Sequence, residues 1–169
     1  MMKEMSIQVG CDFNQFKQYY ETTFEKLDET EKNLVKENPS HLIIWKEDDQ
    51  IIGHAIWHEA STGEHRPGDP RDQDDQEILE ELLGEKSELV ELHEIWLTKK
   101  HRGKGYGKAF FAFFEDFIRQ QGHRNIIYYA YHPAAIAICR TRGYKEASGL
   151  EMKGLEGNIE TMYVFHMTL

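Results

Sequence analysis

The sequence predicts a single domain over residues 1–169 of mixed α/β (α+β) class, and three observations support this prediction. Strand-like and helix-like segments alternate along the 169 residues, with no detectable internal repeat. Hydrophobic residues make up 40% of the chain, enough for one core at this length. A strand, a glycine-rich loop, a helix and a second strand follow one another at the centre of the pattern. We therefore expect a mixed central sheet of roughly six to seven strands, flanked by helices.

The N-terminal part of the chain predicts a strand, helical segments and a hairpin. Ser6 to Val9 is a short strand candidate, and helical patterning follows from Phe13 to Lys36, with a break near Asp28. Two β-rich runs, His41 to Lys46 and Ile51 to His58, flank four polar residues and therefore predict a β-hairpin.

A polar segment interrupts this pattern. Ser61 to Gln76 contains two prolines and two glycines, and it is too polar and too broken to predict a core element. Apolar residues at helical spacing then predict a short helix that ends at Gly84. These residues are Ile78, Leu79, Leu82 and Leu83. Residues 61–87 are thus an acidic insertion between strands, and an insertion of this length is usually functional or disordered.

The following strand, Val90 to Leu97, leads through the glycine loop to a helix from Lys108 to Gln121, which Gly122 ends. Strand alternation places two sets of side chains on opposite faces of the strand. One set is Glu91, His93, Ile95 and Leu97, and the other is Leu92, Glu94 and Trp96.

The C-terminal part alternates again. Asn125 to Tyr131 predicts a second strand, and His132-Pro133 begins a short helix that extends through Arg140. Gly143-Tyr144 then turns the chain into another strand, and Met162 to Met167 predicts the final one.

Composition excludes several classes of protein. The formal net charge is −10 at pH 7, whereas a general nucleic-acid binder needs a basic face, so we expect no nucleic-acid partner. Two cysteines, Cys11 and Cys139, are too few for a disulfide framework and indicate a reducing compartment. No apolar run could span a bilayer, and the N-terminus lacks the apolar core of a signal peptide. We expect a cytoplasmic protein without a membrane partner, as a monomer or a homodimer.

The loop from Arg102 to Lys108 predicts an anion site. A helix start offers unpaired N–H groups, and glycines let an anion approach the backbone closely. Five cations surround this loop in an otherwise acidic chain: Lys99, Lys100, Arg102, Lys104 and Lys108. The alternative is a glycine turn with solvated lysines.

Two common nucleotide loops do not fit the spacing. Gly103, Gly105 and Gly107 run G-x-G-x-G, whereas a dinucleotide fingerprint needs G-x-G-x-x-G. In a nucleoside triphosphate loop a Ser or Thr that binds magnesium follows the lysine, but Ala109 follows Lys108 here. A kinase-like nucleotide binder is therefore only a distant alternative.

Two segments in the same order resemble the GNAT superfamily of N-acetyltransferases. Arg102, Gly105 and Gly107 match the R-x-x-G-x-G pattern of its pyrophosphate loop. Ala135 to Tyr144 is similar to the helix-to-strand segment A-I-x-L-Y-x-x-x-G-F of that family. The resemblance implies a GNAT-like fold with a splayed strand before the loop, and acetyl-CoA as co-substrate without a metal.

The resemblance also implies which residues hold CoA. Backbone amides of the loop would bind the pyrophosphate, the strand before it would pair with the pantetheine arm, and His132 stands where the family often has an asparagine. The implied cofactor-binding residues are Ile95, Trp96, Leu97, Arg102, Gly103, Lys104, Gly105, Tyr106, Gly107, Lys108 and His132.

Acetyl transfer to an amine also needs a base, because an ammonium cannot attack a thioester. A lysine-like amine with a pKa of about 10.4 is neutral in roughly one molecule in two thousand at pH 7, which costs about 4.6 kcal/mol. The resemblance places a catalytic glutamate at Glu91, and His93 lies on the same predicted face. The alternative for Glu91 is an ordinary strand-end carboxylate.

Cys139 is a departure from the family pattern, where a tyrosine usually protonates the departing CoA thiolate. The thiol of Cys139 either donates that proton or packs in the core. Tyr131 and Tyr144 are alternative donors, and the thiolate could also leave unassisted into water.

Only the charge of one segment indicates which substrate receives the acetyl group. Residues 61–91 contain eleven acidic against three basic side chains, which favours a cationic amine, a small molecule or a peptide. The alternative is a solvated acidic loop. We therefore expect an N-acetyltransferase acting by direct attack in a ternary complex, and the alternative from another class is a non-catalytic acyl-CoA-binding module.

Overall fold

The computed structural model describes residues 5–84, 88–147, 150–153 and 159–169. The chain divides into two compact units. Unit 1 comprises Met1–His58 and His93–Phe113, and unit 2 comprises Glu59–Leu92 and Phe114–Leu169.

Helices and strands alternate through the described residues, as the sequence predicts. The α-helices are α1 Phe13–Thr23, α2 Glu29–Glu37, α3 Gln73–Leu83, α4 Tyr106–Gln120 and α5 Pro133–Thr141. The strands are β1 Met5–Val9, β2 Leu42–Glu47, β3 Gln50–Ser61, β4 Glu64–Arg66, β5 Asp69–Pro70, β6 Glu88–Leu97, β7 Asn125–Ala130, β8 Lys145–Glu146, β9 Leu150–Lys153 and β10 Ile159–Thr168. None of the helices in these described ranges is long and apolar enough to cross a membrane.

Unit 1 contains the antiparallel strands β1, β2 and β3, in that order. The pairing runs from Met5 opposite Glu47 in β1 and β2, and β2 and β3 form the predicted hairpin. The predicted break near Asp28 is a helix start, because the Asp28 carboxylate accepts a hydrogen bond from the Glu31 amide at 3.2 Å and caps α2. Helix α1 begins in the same way, with Asp12 as its cap.

The core of unit 1 lies under α1 and α2. Both helices pack apolar residues against β2 and β3, and complete burial of one such side chain contributes about 1.5–3 kcal/mol. The most deeply buried members are Phe16, Tyr20, Leu34, Leu42, Ile44 and Ile56. This packing fixes the two helices against the strands that position the site.

Unit 2 contains the first part of β6 and the strands after α4. β6 pairs in parallel with β7 over Val90 to Leu92, and β10 pairs antiparallel with β7, β8 and β9. A second core holds α3 against these strands through residues that include Leu79, Leu82 and Val164. The predicted mixed α/β class, with helices flanking a mixed sheet, is confirmed.

Residues 61–76 differ from the sequence prediction. Strands β4 and β5 form a small antiparallel hairpin, and α3 begins at Gln73, well before its predicted apolar residues. Arg71 is buried in this segment, because carboxylates and a hydroxyl surround its guanidinium. The segment therefore buries Arg71 through charge pairing, which an apolar pattern does not reveal.

Candidate active site

The glycine loop follows the end of β6 in unit 1. A short 3₁₀ turn, Lys99–His101, leads into it. Gly103 and Gly105 have φ angles of 78° and 83°, in the left-handed region that glycine adopts without strain. A Cβ placed on either residue would meet no atom within 4 Å. The backbone angle therefore requires glycine, and the space beside each Cα is open to a ligand.

Helix α4 begins directly after this loop. The amide of Ala109 donates to the carbonyl of Gly105 at 3.1 Å, so the three preceding amides, of Tyr106, Gly107 and Lys108, occupy the first turn. Helical geometry leaves first-turn N–H groups without intrahelical partners and places the positive end of the helix dipole there. These amides can bind an anion.

The cations around the loop are available for phosphate groups. Lys99, Lys100, Lys104 and Lys108 are all exposed, and none of them forms an ion pair with the residues that the structure describes. The residues present thus fit a pyrophosphate: glycines in the required conformation, unpaired amides and uncompensated positive charge.

Arg102 is also bonded to the strand that precedes the loop. Its Nε donates to the carbonyl oxygen of Leu97 at 2.8 Å, and its guanidinium carbon lies 5.8 Å from the centre of the Trp96 ring. Buried His101 lies beneath the loop, with Nε2 3.1 Å from Oε2 of Glu47. These contacts hold the loop against the end of β6.

The end of β6 approaches β3 closely. Ile95, Trp96 and Leu97 are half-buried. A Cβ on Gly53 would lie 2.8 Å from the carbonyl oxygen of Trp96 and 2.7 Å from the ring of Trp45. Only glycine fits at residue 53, which therefore sets the position of the strand segment next to the loop.

His93 forms a dyad with Glu31 of α2. The His93 Nε2 atom lies 2.9 Å from Oε1 of Glu31, and the His93 ring packs against that of His58 at 5.7 Å. Oε2 of Glu31 is buried and has no hydrogen-bond partner among the described residues. The carboxylate holds the Nε2–H tautomer of His93, which leaves Nδ1 as the basic nitrogen.

Glu94 lies in a separate hydrogen-bonded group. Tyr20 donates its hydroxyl to the Glu94 carboxylate at 3.1 Å, and Nε2 of His54 lies 2.7 Å from Oε2 of Glu94. The Tyr19 hydroxyl lies 2.9 Å from Nδ1 of His54. If Nε2–H of His54 donates to Glu94, Nδ1 accepts a hydrogen bond from the Tyr19 hydroxyl. Tyr19, His54 and Glu94 are then linked by two consecutive hydrogen bonds.

Glu91 belongs to unit 2 and lies in a buried charge cluster. Its Oε2 atom is 3.5 Å from Nη2 of Arg71 and 3.7 Å from Nδ1 of His65. Arg71 also donates to Asp75 at 3.1 Å and to the Tyr129 hydroxyl at 3.1 Å. The interaction with the Glu91 carboxylate raises the pKa of His65 above its ordinary value. Two acids of the predicted acidic segment, Asp75 and Glu91, are thus compensated internally.

Cys139 is fully buried in unit 2. Burial, and then the charge of Glu115, raises the pKa of its thiol to about 12. Tyr144 donates its hydroxyl to Glu115 at 2.9 Å and is also buried. Tyr131, in contrast, is 67% exposed.

His132 occupies the N-cap of α5. Its Nδ1 accepts a hydrogen bond from the Ala134 amide at 3.2 Å, so the ring proton lies on Nε2. The exposed Nε2–H remains able to donate to a ligand.

Sequence reasoning did not find Glu31, His54 or Arg71. A glutamate three residues after the capping Asp28 is typical of a helix capping box, which gives Glu31 a local explanation. His54 lies in a β-rich run, and Arg71 lies between prolines and acids. Their partners His93, Glu94 and Glu91 lie 62, 40 and 20 residues away, although Asp75 lies only four residues from Arg71. No group of three or more potential metal ligands occurs within the described ranges.

A strand, an open glycine loop and a helix start suited to a pyrophosphate are the features of a CoA-dependent transferase. The model of the acetyltransferase (GNAT) family matches residues 7–144. The chain therefore belongs to the acetyltransferase (GNAT) family, and it is an acyltransferase whose co-substrate is acetyl-CoA.

Solved structures agree in fold. The polyamine N-acetyltransferase of Drosophila melanogaster is 10% identical, with a TM-score of 0.69 over 98% of this chain and 100% of that chain. The ribosomal-protein-S18-alanine N-acetyltransferase of Escherichia coli is 14% identical, with a TM-score of 0.64 over 98% and 94% of the two chains. The protein yncA of Salmonella typhimurium, solved with its cofactor acetyl-CoA, is 16% identical, with a TM-score of 0.62 over 98% and 94%. By sequence, the chain matches none of the curated proteins.

Proposed function

We propose that this acetyltransferase transfers the acetyl group of acetyl-CoA to a primary amine, by direct attack of the amine in a ternary complex. The observation that supports this most strongly is the loop before α4. Gly103 and Gly105 adopt left-handed angles beside open space, and the exposed lysines around them have no ion-pair partner in the described part of the chain. Such a site is suited to a ligand that carries a pyrophosphate group, as CoA does.

Each part of the cofactor has a proposed partner on this chain. First-turn amides of α4 and the side chains of Lys104 and Lys108 bind the pyrophosphate, and Arg102 adds charge while it stays bonded to Leu97. The backbone of Ile95 to Leu97 binds the pantetheine arm. Acetyl-CoA supplies an activated thioester carbonyl for the amine to attack.

His93 is the proposed general base. Glu31 holds its Nε2–H at 2.9 Å, so Nδ1 presents a lone pair to the attacking amine. An oriented imidazole with a carboxylate behind it is a recurring arrangement for proton abstraction, because the carboxylate stabilises the imidazolium that forms. The side chain of His93 is also 26% exposed, which gives an amine access to it.

Glu91 has a structural role in this proposal. Arg71 and His65 already engage its carboxylate, and the residue is buried. A carboxylate with these partners is poorly placed to accept a proton from a substrate. This changes the emphasis of the sequence prediction, in which Glu91 came before His93.

Cys139 packs in the core in this proposal and does not protonate the CoA thiolate. Its thiol is buried, and its pKa of about 12 reflects that burial. Of the two tyrosines considered as substitutes, Tyr144 is bonded to Glu115, whereas Tyr131 exposes its side chain. Neither Cys139 nor Tyr144 is therefore the proposed proton donor to the thiolate, which can leave into water.

The proposed acceptor is an amine, and the structural neighbours illustrate several classes of amine. These neighbours include agmatine and polyamine N-acetyltransferases, a mosquito protein like arylalkylamine N-acetyltransferase, and a ribosomal-protein-S18-alanine N-acetyltransferase. Polyamines, arylalkylamines and peptide amines are therefore the classes to test first.

A thiol-release assay with acetyl-CoA and these amine classes tests the proposal. We expect steady release of CoA with at least one class, with mass spectrometry detecting the acetylated amine. The alternative function is a non-catalytic acyl-CoA-binding module, which the cysteine at the family's tyrosine position favours. Tight CoA binding without thiol release with any amine would support that module and contradict the enzyme.

A further inference from the structure

We propose that Glu94, together with the rings of Phe24 and Trp96, forms a subsite for a second positively charged group on the acceptor. The preferred acceptor would then be a dication: one amine is acetylated and the other cationic group binds to Glu94. This inference rests on the proposed function, since it specifies the class of amine.

The first observation is a partly buried carboxylate that no lysine or arginine of the described residues pairs with. Glu94 lies within unit 1, and only 17% of its side chain is exposed. Its two oxygens accept hydrogen bonds from the Tyr20 hydroxyl and from Nε2 of His54. Among the described residues, no lysine or arginine lies within ion-pair distance of this carboxylate. A partly buried carboxylate without a cation is costly, and a ligand cation would remove that cost.

The second observation is the aromatic surface beside the carboxylate. The rings of Phe24 and Trp96 lie 5.0 Å apart, and Phe24 lies 5.0 Å from Tyr20 and 5.4 Å from His54. Phe24 and Trp96 are only half-buried. Ring faces attract organic cations, with about 0.5–2 kcal/mol for each contact depending on desolvation. A carboxylate next to two half-buried rings is therefore suited to an alkylammonium or guanidinium group.

The third observation is the sign of the local field. Burial raises the pKa of the Tyr20 hydroxyl most, and the negative charges of Glu94, Glu25 and Asp28 raise it further. Glu25 and Asp28 lie on the connection between α1 and α2, at the same end of α1 as Phe24. The connection therefore adds negative potential to the subsite and attracts cations to it.

The acids predicted from the sequence are less suited to this role. In the segment 61–91, Arg71 compensates the buried Asp75 and Glu91. The Glu94 carboxylate instead has no lysine or arginine partner among the described residues. Selection for a cation is thus better explained by one carboxylate on β6 than by the acidic insertion.

The position of Glu94 along β6 links it to the reaction. His93, the proposed base, precedes it in the strand, and both side chains contact the two N-terminal helices: His93 contacts Glu31 of α2, and Glu94 contacts Tyr20 of α1. Trp96 follows two residues later and contacts the guanidinium of Arg102 in the cofactor loop. An acceptor bound at Glu94 would therefore lie beside the strand segment that carries both the base and the cofactor contacts.

Binding of two matched probes to the protein saturated with CoA tests this subsite without any turnover. We would measure Kd by calorimetry for 1,4-diaminobutane and for butylamine, which differ only in the second amine. We expect the diamine to bind about tenfold or more tightly, with the difference decreasing as salt increases. Trp96 is half-buried, whereas Trp45 and Trp57 are 1% exposed, so tryptophan fluorescence gives a second readout near the subsite.

The variant Glu94→Gln keeps the hydrogen-bonding shape and removes the charge. We expect it to weaken diamine binding about tenfold while butylamine and CoA binding change less than about twofold. Glu37→Gln, an exposed residue of α2, is the matched control and should change none of these values. Phe24→Leu tests the ring face separately and should weaken the diamine by about threefold to tenfold.

Equal affinity of the two probes for the wild-type protein would overturn the subsite, and so would unchanged diamine binding in a folded Glu94→Gln variant. If Glu94→Gln does not fold, the Phe24→Leu result decides in the same way. The proposed function fails separately: it fails if no amine releases thiol, even when diamine binding depends on Glu94. Conversely, acetylation of the diamine with a KM that Glu94→Gln leaves unchanged would support the enzyme and reject the subsite.

Discussion

Nε2 of His93 lies 2.9 Å from Oε1 of Glu31, although 62 residues separate the two in the chain. Strand β6 supplies the imidazole, and the first turn of α2 supplies the carboxylate. Because the second oxygen of Glu31 has no hydrogen-bond partner in the described part of the chain, the charge of this carboxylate is directed mainly at His93. A base held in one tautomer follows from this contact.

His93→Gln should therefore lower kcat by a factor of about 10² or more, since a general base contributes about 10²–10⁴. The acidic limb of the pH profile of kcat/KM should disappear with it, while KM for acetyl-CoA stays within about twofold. Glu31→Gln should lower kcat by about tenfold, because it keeps an acceptor for Nε2–H but loses the charge.

The control for this pair is Glu91→Gln, which should leave the shape of the pH profile unchanged. If Glu91→Gln removes the acidic limb and His93→Gln does not, the base is Glu91 and the present assignment is wrong. Steady-state kinetics with one responsive amine, between about pH 5 and pH 10, distinguishes the two.

Gly103→Ala and Gly105→Ala should each weaken CoA binding by about tenfold. Their φ angles of 78° and 83° cost a residue with a Cβ about 1–2 kcal/mol, so the loop would leave the conformation that directs its amides. Gly63→Ala is the matched control, since a Cβ there also meets nothing within 4 Å and its backbone angle is unrestricted. Calorimetric titration with CoA measures the effect, and equal affinities in all three variants would remove the loop from the cofactor site.

The elements and the loop were predictable because their signals are local. Asp28 interrupts the helical pattern and caps α2 in the structure, and Gly103 and Gly105 have the backbone angles that their spacing between a strand and a helix indicates. The mixed class follows from such signals in order along the chain. Local signals do not show, however, which side chains from distant parts of the chain contact each other, so the sequence prediction of the site is incomplete.

The dyad and the buried arginine show why. Glu31 sits where a capping box places a glutamate, so its sequence position already has an explanation, and only the fold brings His93 to it. Arg71 lies between prolines and acids and was assigned to a polar insertion, whereas the structure buries it. A buried cation becomes evident only when its carboxylates, one of them 20 residues away, are in place.

Cys139 should react much more slowly than Cys11 with a disulfide reagent. Its pKa of about 12 leaves roughly one thiol in 10⁴ ionised at pH 8, and the side chain is buried. Burial also raises the pKa of Cys11, but that residue is only half-buried. Mass spectrometry of the modified protein over time gives the order of reaction.

Replacement of the same cysteine separates packing from catalysis. Cys139→Ala should lower the free energy of unfolding by about 1 kcal/mol, through lost packing, and change kcat by less than about twofold. A loss of kcat by tenfold or more in a folded variant would identify Cys139 as the proton donor to the CoA thiolate.

Arg71→Met should destabilise the protein by about 3–5 kcal/mol, because it removes the cation and leaves two buried carboxylates. The guanidinium is fully buried and lies 3.1 Å from Asp75 and 3.5 Å from Glu91. Arg66→Met is the matched control: its ion pair with Asp69 spans 3.9 Å and is exposed, so its loss should cost less than about 1 kcal/mol. Urea denaturation of both variants measures the difference. Adding Glu91→Gln to Arg71→Met should restore part of the lost stability, since one of the two carboxylates that lost the guanidinium is then replaced by a neutral amide. If the double variant is no more stable than Arg71→Met, the loss comes from packing of the arginine side chain, and Glu91 is not held in place by charge.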